Sequence, residues 1–299
     1  MLKTIIHALS GFILFLTFLI LRILGKENSS DISSFIFKKI GPLTRYNKVA
    51  IKNILFVWPK KNKSAIDNLT KRMWDNIGRN FGEFVHLKKL NPLTCSNIKV
   101  IGLKKVKTLI QKNKSKKKGM IFVSAHYGNW ELGPIIIKKL KLEPLSLYRK
   151  SNNRFIEIII QRVRSNSGRY APKGDIGAKK SFLWLRSGKC LALLNDQKLN
   201  EGPLINFLGK PAPTASFLAE LALRMELDII PIRFQRTSKY KSTITFMQKI
   251  KTPPTCLKHH DKVNKILEEV NSIISSWILE KPDQWFWVHR RWSKKFYKT

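Results

Sequence analysis

Short apolar segments alternate with helical segments through most of the chain, and this alternation limits the possible folds more than any other feature. The predicted strands cover residues 98–102, 119–125, 144–148, 189–195, 229–235 and 242–250. The predicted helices cover residues 104–113, 129–142, 153–166, 176–187, 214–227 and 261–280. Strands that alternate with helices predict an α/β fold with a single mixed, partly parallel sheet flanked by helices.

The N-terminal segment has a different composition and predicts contact with a membrane. Residues 5–21 are apolar apart from three polar positions, and Lys3 and Arg22 flank them. Their number is close to the roughly 17–20 residues that a spanning helix needs. We therefore predict a membrane anchor over residues 1–27 and a single α/β domain over residues 28–299. The anchor either spans the bilayer or lies in its interface, and the basic residues after it favour a cytoplasmic location for the domain that follows.

Two further segments precede the alternating region. Residues 28–34, Asn-Ser-Ser-Asp-Ile-Ser-Ser, are predicted to form a short linker or the start of a helix. Apolar residues recur at helical spacing through residues 64–90, which predicts an amphipathic helix. Its aromatic side chains are more typical of a protein core or a membrane contact than of a cofactor site.

Charge and cysteine content narrow the classes of partner. The formal net charge of +38 is extreme for 299 residues, and it favours an anionic partner such as nucleic acid, an anionic membrane face, an acidic protein or a phosphorylated substrate. The three cysteines are far apart and lack the spacing of a zinc site. We therefore expect a domain built for a reducing compartment, without a metal.

One strand-to-helix turn has the residues of an active site. The sequence His126-Tyr-Gly-Asn-Trp-Glu131 places an imidazole where a buried strand ends and a carboxylate where a helix begins. Across such a turn the two side chains can meet. A carboxylate bonded to one ring nitrogen fixes the tautomer and leaves the other nitrogen free as a general base. We predict that His126 is that base and that Glu131 orients it; a turn with a structural His and Glu is the alternative.

Two more polar residues follow predicted strands. Arg149 follows the strand at residues 144–148, and Asp196 follows the strand at residues 189–195. In open α/β sheets, ligands bind beyond the carboxyl ends of the strands. Arg suits bidentate contact with a phosphate. Asp196 is either a site residue or the partner that holds an Arg in place, and the sequence leaves both interpretations open.

The turn resembles the H-x-x-x-x-D/E motif of glycerolipid and lipid A acyltransferases, in which Asp often stands where this chain has Glu131. Further matches follow in the order of the lipid A secondary (late) acyltransferases, lauroyl type: Leu147-Tyr-Arg149, Arg164-Ser-Asn166, Asn195-Asp-Gln197, Asn206-Phe-Leu-Gly-Lys-Pro-Ala-Pro-Thr-Ala215, Ile230-Pro-Ile232 and Pro282-Asp-Gln-Trp-Phe-Trp-Val-His-Arg-Arg-Trp292. The resemblance runs from about Trp58 to the C-terminus.

This resemblance implies a glycerolipid-acyltransferase-like fold and a reaction. The donor would be a fatty acyl thioester of acyl carrier protein, and the acceptor a Kdo-bearing lipid A precursor in the bacterial inner membrane. The acyl chain would join the hydroxyl of a 3-hydroxyacyl group, with no cofactor, no metal and no covalent acyl-enzyme. The resemblance also implies substrate contacts at Arg149, Arg164, Asp196 and Gln197.

Two other functions remain possible at this point. A phospholipid-synthesis acyltransferase with a lysophosphatidate acceptor would share the histidine turn. A basic nucleic-acid-binding protein would explain the net charge, but it would not explain the apolar N-terminus. The tail from Trp285 to Lys298 interleaves aromatic and cationic residues, which suits a membrane interface or stacking on a single strand. We expect His289, within this tail, to be structural.

Overall fold

The computed structural model describes residues 2–293 and 296–297, and a seven-stranded sheet forms its centre. The strands of this sheet are β1 (Ile98–Ile101), β2 (Met120–Ser124), β3 (Pro144–Tyr148), β4 (Arg169–Pro172), β5 (Cys190–Leu194), β8 (Asp228–Arg236) and β9 (Ser242–Phe246). Strands β6 (Leu204–Phe207) and β7 (Lys210–Pro213) form a separate antiparallel hairpin.

Helices precede the sheet in the chain and then alternate with its strands. The helices of the described residues are α1 (Leu2–Ile23), α2 (Gly25–Ile40), α3 (Arg45–Val57), α4 (Lys63–Phe84), α5 (Leu103–Ser115), α6 (Leu132–Lys139), α7 (Arg154–Arg164), α8 (Asp175–Arg186), α9 (Phe217–Arg224) and α10 (His259–Glu280).

The sheet is mixed and mostly parallel, as the sequence predicts. Its strand order is β1-β9-β8-β2-β5-β3-β4. The five strands from β8 to β4 are parallel to one another, whereas β9 is antiparallel to β8 and pairs in parallel with β1. The carboxyl ends of five strands therefore meet at one edge, where an open α/β sheet binds its ligand.

Strand β2 lies near the middle of the sheet and is buried on both faces. Ile121 and Val123 pack into one hydrophobic cluster, and Met120 and Phe122 pack into another on the opposite face. A strand covered by helices on both sides needs apolar residues at every position rather than at alternate ones. This explains the uninterrupted apolar run before His126.

Several predicted boundaries differ from the observed ones. Helix α4 ends at Phe84 rather than at residue 90, and β9 ends at Phe246 rather than at residue 250. Helix α9 begins at Phe217 rather than at 214, because Thr214 is buried and its hydroxyl bonds to the carbonyl of Ala212. Helix α3, strand β4 and the hairpin have no counterpart among the predicted elements.

Residues 28–34 are helical, not a linker. They belong to α2, and Ser29, Ser30, Ser33 and Ser34 are buried against α4. A Cβ atom at Gly82 of α4 would lie 2.1 Å from the carbonyl oxygen of Ser29, so the two helices approach more closely than larger side chains would allow. The predicted domain boundary at residue 27 thus lies inside α2, and the division into anchor and domain stays a prediction.

Helix α1 packs beside α7 and leaves most of its apolar surface exposed. Its most apolar stretch of 18 residues has a mean hydropathy of 2.3, and 17% of that stretch is buried. Within the described residues it is the one helix that is long and apolar enough to cross a membrane. Asn153, which caps α7, donates hydrogen bonds to the carbonyl of His7 and to the hydroxyl of Ser10.

Candidate active site

The turn after β2 is fixed through its backbone. Gly128 has a φ of +57°, and a Cβ atom there would lie 1.8 Å from the carbonyl oxygen of Phe234. Its N–H donates to the carbonyl of Gln284 at 2.9 Å, and its carbonyl accepts from the side-chain amide of Asn80. Only glycine combines this left-handed conformation with this close approach. The turn therefore holds His126 in one position.

The imidazole of His126 is bonded to a buried carboxylate, that of Asp196. His126 Nδ1 lies 2.8 Å from Asp196 Oδ1, and the backbone N–H of His126 donates to Oδ2 at 2.9 Å. The indole N–H of Trp285 also donates to Oδ2, at 2.8 Å. Asp196 is fully buried, while the side chain of His126 retains 16% of its exposure. An ionised carboxylate at Nδ1 sets the tautomer that leaves Nε2 as the free acceptor.

The environment of Asp196 favours its ionised form. Burial alone raises the pKa of this carboxyl, but the charge of His126 and its hydrogen bond, followed by Trp285, hold the pKa well below its usual range. Asp196 is therefore a carboxylate at physiological pH.

Strand register explains why Asp196 is the partner of His126. Strands β2 and β5 are parallel neighbours in which Ser124 is paired with Leu194. His126 and Asp196 each follow their member of this pair by two residues, so they leave the sheet side by side. The sequence left two roles open for Asp196. Its hydrogen bonds go to His126 and Trp285 and not to an Arg, which favours the role of a site residue.

The predicted hydrogen bond between Glu131 and His126 is wrong. Glu131 precedes α6 and instead forms a bidentate ion pair with Arg164 at the end of α7, which includes a 3.1 Å bond from Nε to Oε2. Its backbone is already helical, and the position at Nδ1 is taken by Asp196. Glu131 still lines the same pocket as His126.

Gln197 and His289 lie on the free side of the imidazole. Lys173 donates to Gln197 Oε1 at 3.0 Å, so the amide of Gln197 turns its NH₂ group toward the two histidines. Gln197 Nε2 is 3.5 Å from His126 Nε2 and 3.3 Å from His289 Nε2. The ring centroids of His126 and His289 are 4.7 Å apart. His289, expected to be structural, is thus part of the site.

Burial lowers the pKa of two basic groups of this region. It lowers the pKa of His289 to about 3, with a further contribution from the charge of His126. It also lowers the pKa of Lys173, against the attraction of Asp196. His289 is therefore neutral at physiological pH and does not compete with His126 for Asp196.

A largely apolar pocket of about 260 Å³ extends from His126 between the sheet and α6. Ser146 of β3 and Ala192 of β5 are registered neighbours that line it. Because both side chains are small, space remains under α6. Phe122 and Ile137 line the pocket too. Its volume and its apolar lining suit a hydrocarbon chain whose reactive end lies beside the imidazole.

Two arginines that the sequence singles out also line this pocket. Arg149 is exposed and follows β3. Arg164 is partly buried, lies over the ring of Tyr170 and contacts Phe84. A fork-shaped cation near the mouth of an apolar pocket suits a phosphate or carboxylate of the ligand. Five of the six residues predicted for the site line the pocket, and the sixth, Asp196, is bonded to His126.

The C-terminal segment is part of the core, so the predicted membrane or nucleic-acid contact of this segment is wrong for the residues described. Trp285, Trp287 and Trp292 are buried. Arg291 is fully buried, and it donates to the carbonyl of Pro213 and the hydroxyl of Thr214. Of the cations in this tail, those at positions 294, 295 and 298 lie outside the described residues. The aromatic residues of the tail close the site from one side: Phe286 stacks on His126.

A histidine held by a buried carboxylate, beside an apolar pocket on the carboxyl edge of a mostly parallel sheet, is the arrangement of an α/β enzyme with a base at an apolar binding site. The family model for bacterial lipid A biosynthesis acyltransferases matches residues 2–294, and the chain belongs to this family. No curated protein matched in a sequence search. Family membership makes the protein an acyltransferase with a lipid A precursor as substrate, and it favours this function over the phospholipid and nucleic-acid alternatives.

Proposed function

We propose that the protein transfers a fatty acyl chain from acyl carrier protein to the hydroxyl of a 3-hydroxyacyl chain on a Kdo-bearing lipid A precursor. The observation that carries the proposal is the His126–Asp196 pair at the mouth of the apolar pocket. A base beside a hydrocarbon site is what this reaction needs, because the acceptor hydroxyl is not acidic enough to react unaided.

His126 acts as the general base through Nε2. It takes the proton of the acceptor hydroxyl as the oxygen attacks the thioester carbonyl, a contribution of about 10²–10⁴ in rate. The tetrahedral intermediate then collapses, the carbon–sulfur bond breaks, and His126 returns the proton to the leaving thiolate. The buried charge of Asp196 stabilises the imidazolium while it exists.

Gln197 is the best-placed donor for the developing oxyanion. Its NH₂ group lies 3.5 Å from His126 Nε2, and Lys173 fixes its orientation from the other side. A donor that is oriented before the reaction stabilises charge at no further cost, and one such group is worth about 10²–10³ in rate.

Arg149 and Arg164 contact anionic groups of the substrate in this proposal. Glu131 positions Arg164 through their bidentate ion pair, rather than orienting His126. The mechanism uses no metal and no covalent acyl-enzyme, so we expect transfer to continue in the presence of a chelator.

The protein would act at the cytoplasmic face of the inner membrane. Helix α1 supplies an exposed apolar surface, and the net charge of +38 suits an anionic membrane and an anionic donor protein. Domain and anchor would then be one unit attached to the leaflet that carries the acceptor.

The test is expression in a bacterial host that lacks its own late acyltransferases, followed by mass spectrometry of lipid A. We expect lipid A to gain the mass of one fatty acyl chain. An unchanged lipid A mass at good expression would contradict the proposal. New acylation of glycerophospholipids in place of lipid A would support the lysophosphatidate-type alternative.

A further inference from the structure

A second cavity, of about 760 Å³, lies between α1 and α7, away from the catalytic base. The two helices run side by side in the same direction. Gly11, midway along α1, lies against Phe155 at the N-terminal end of α7, and Phe18 packs in one cluster with Ile159 and Val163 toward the C-terminal ends. We call this cavity the α1–α7 cleft.

The α1–α7 cleft is apolar at one end and cationic at the other. Phe12 and Phe15 of α1, with Phe155 and Ile158 of α7, line the apolar end. The cations of the lining belong to the other end: Arg22, Lys88 and Arg162. This arrangement matches a lipid, whose hydrocarbon chains and phosphate group are likewise separated.

The cleft opens on the apolar surface that we assign to the membrane. Phe12 is 57% exposed and Ile158 is 62% exposed. Large apolar side chains at the rim of a cavity lined by three cations are typical of a binding surface rather than of ordinary solvent contact.

Helix α7 connects the cleft to the active site. Arg162 and Val163 line the α1–α7 cleft, whereas Arg164 lines the catalytic pocket and pairs with Glu131. One lipid held at the C-terminal end of α7 can therefore reach both cavities. The catalytic pocket has about a third of the volume of the cleft, so we assign it one acyl chain, and the remaining chains of a multi-chain lipid need another apolar site.

We propose that the α1–α7 cleft binds the acyl chains of the acceptor lipid that do not react, with an acceptor phosphate on Arg22, Lys88 and Arg162. This proposal rests on the proposed function, because it takes the acceptor as a phosphorylated lipid with several chains. The cleft draws the acceptor partly out of the leaflet, which brings the reacting hydroxyl to His126.

The test removes two of the three cations. In the double variant Lys88→Ala, Arg162→Ala, we expect the KM for a purified Kdo-bearing lipid A precursor to rise by at least about tenfold, because charge-assisted bonds are lost. The kcat and the KM for the acyl donor should not change. The matched control is Lys89→Ala, Arg186→Ala, two exposed cations outside the cleft.

A second variant fills the apolar end without changing the charge. Ala8 lines the cleft, and Ala8→Trp should raise the KM for the acceptor in the same way. An unchanged KM in both variants would overturn the proposal. So would an equal rise in the control, since the effect would then be one of net charge.

A direct binding assay separates this proposal from the proposed function. Binding of the same lipid A precursor, dispersed in detergent micelles, is compared with binding to phosphatidylglycerol vesicles. We expect the cleft variants to weaken binding of the precursor. Weaker vesicle binding with unchanged precursor binding would make the cleft a site for bulk phospholipid and overturn the proposal. If the wild type binds the precursor through the cleft but transfers no acyl chain, the proposed function fails alone.

Discussion

Two carboxylates lie near the imidazole of His126, and their different partners predict different roles. Asp196 is bonded to His126 and Trp285, whereas Glu131 is bonded to Arg164. One carboxylate should therefore affect the chemical step and the other should affect substrate binding.

Kinetics of matched amide variants test this difference. Asp196→Asn should lower kcat on the order of 10³-fold, because a neutral amide no longer fixes the tautomer of His126 or stabilises its cation. Glu131→Gln should mainly raise the KM for the acceptor, because Arg164 loses its ionic partner. A deep loss of kcat in Glu131→Gln, with near-normal kcat in Asp196→Asn, would return the orienting role to Glu131.

His289 should make the protein sensitive to mild acid. Its folded-state pKa is lowered to about 3 by burial, while the unfolded chain takes up a proton near the ordinary value of 6.5. The unfolded state thus binds more protons as the pH falls below that value, so stability is lost on acidification. Between about pH 6.5 and pH 5 the loss is about 2 kcal/mol.

The variant His289→Gln should not show this loss. Thermal unfolding in detergent at several pH values measures it, as a wild-type Tm that falls more steeply with acidification than that of the variant. Parallel slopes for the two proteins would contradict a His289 that stays neutral in the folded protein.

At the residue level, the sequence predicts the site in part. His126 is recognisable because it ends an apolar strand, and Asp196 because it ends another. Their direct pairing depends on β2 and β5 being neighbours in register, which one sequence does not reveal. His289 carries no local signal, because it enters the site only when the C-terminal segment folds against the turn.

At the level of secondary-structure elements, a buried polar network fixes α4 against the turn after β2, which carries His126. Arg236 of β8 forms an ion pair with Glu83, and both side chains are buried. Glu83 also accepts from Asn129 in the turn, and Asn80 bonds to the carbonyl of Gly128. Burial raises the pKa of Glu83, but Arg236 more than offsets it, so the carboxylate remains charged.

Glu83→Gln should destabilise the fold by about 3–5 kcal/mol, because it leaves the buried Arg236 without its counter-charge. The matched control is Glu143→Gln. Glu143 pairs with Lys189 at the surface and is 63% exposed, so its loss should cost about 1 kcal/mol or less. Chemical unfolding in detergent compares the two variants. An equal loss in the free energy of unfolding for both variants would show that the buried ion pair stabilises the fold no more than the exposed one.

The strands are the elements that the sequence predicts best. Strands β1, β2, β3, β5, β8 and β9 are recognisable by their apolar residues, and burial on both faces requires such residues at every position of β2. Helix α2 is not recognisable, because its contacts with α4 use serine and glycine, which also predict loops. The C-terminal tryptophans suit a membrane as well as a core, and only tertiary packing decides between them.

At the level of the whole molecule, the path of α1 along α7 limits how the protein meets the membrane. The two helices stay in contact from His7 and Asn153 to the cluster of Phe18 and Val163. If α1 crossed the bilayer, α7 with its arginines would lie at hydrocarbon depth, at several kcal/mol per charge. We therefore expect α1 to lie at the interface.

A cysteine at Leu2, in a background without native cysteines, tests this topology. In inverted inner-membrane vesicles, which expose the cytoplasmic face, a membrane-impermeant maleimide should label it. In right-side-out vesicles it should not be labelled. The reverse pattern would show that α1 spans the membrane.

The net charge and the ordered motifs are properties of the whole chain, and only the motifs identify a function. A net charge of +38 is compatible with nucleic acid, lipid or an acidic protein, so it does not identify a function. The ordered motifs do, because they occur from the histidine turn to the C-terminus, and the family match covers residues 2–294.

The most direct test of the account is acyl transfer by His126→Ala. The matched control is His260→Ala, since the side chain of His260 is exposed on α10. With acyl carrier protein thioester and lipid A precursor, the rate for His126→Ala should fall by at least about 10²-fold, with unchanged folding and membrane binding. The control should match the wild type. Transfer by His126→Ala at the wild-type rate would contradict the assignment of His126 as the base.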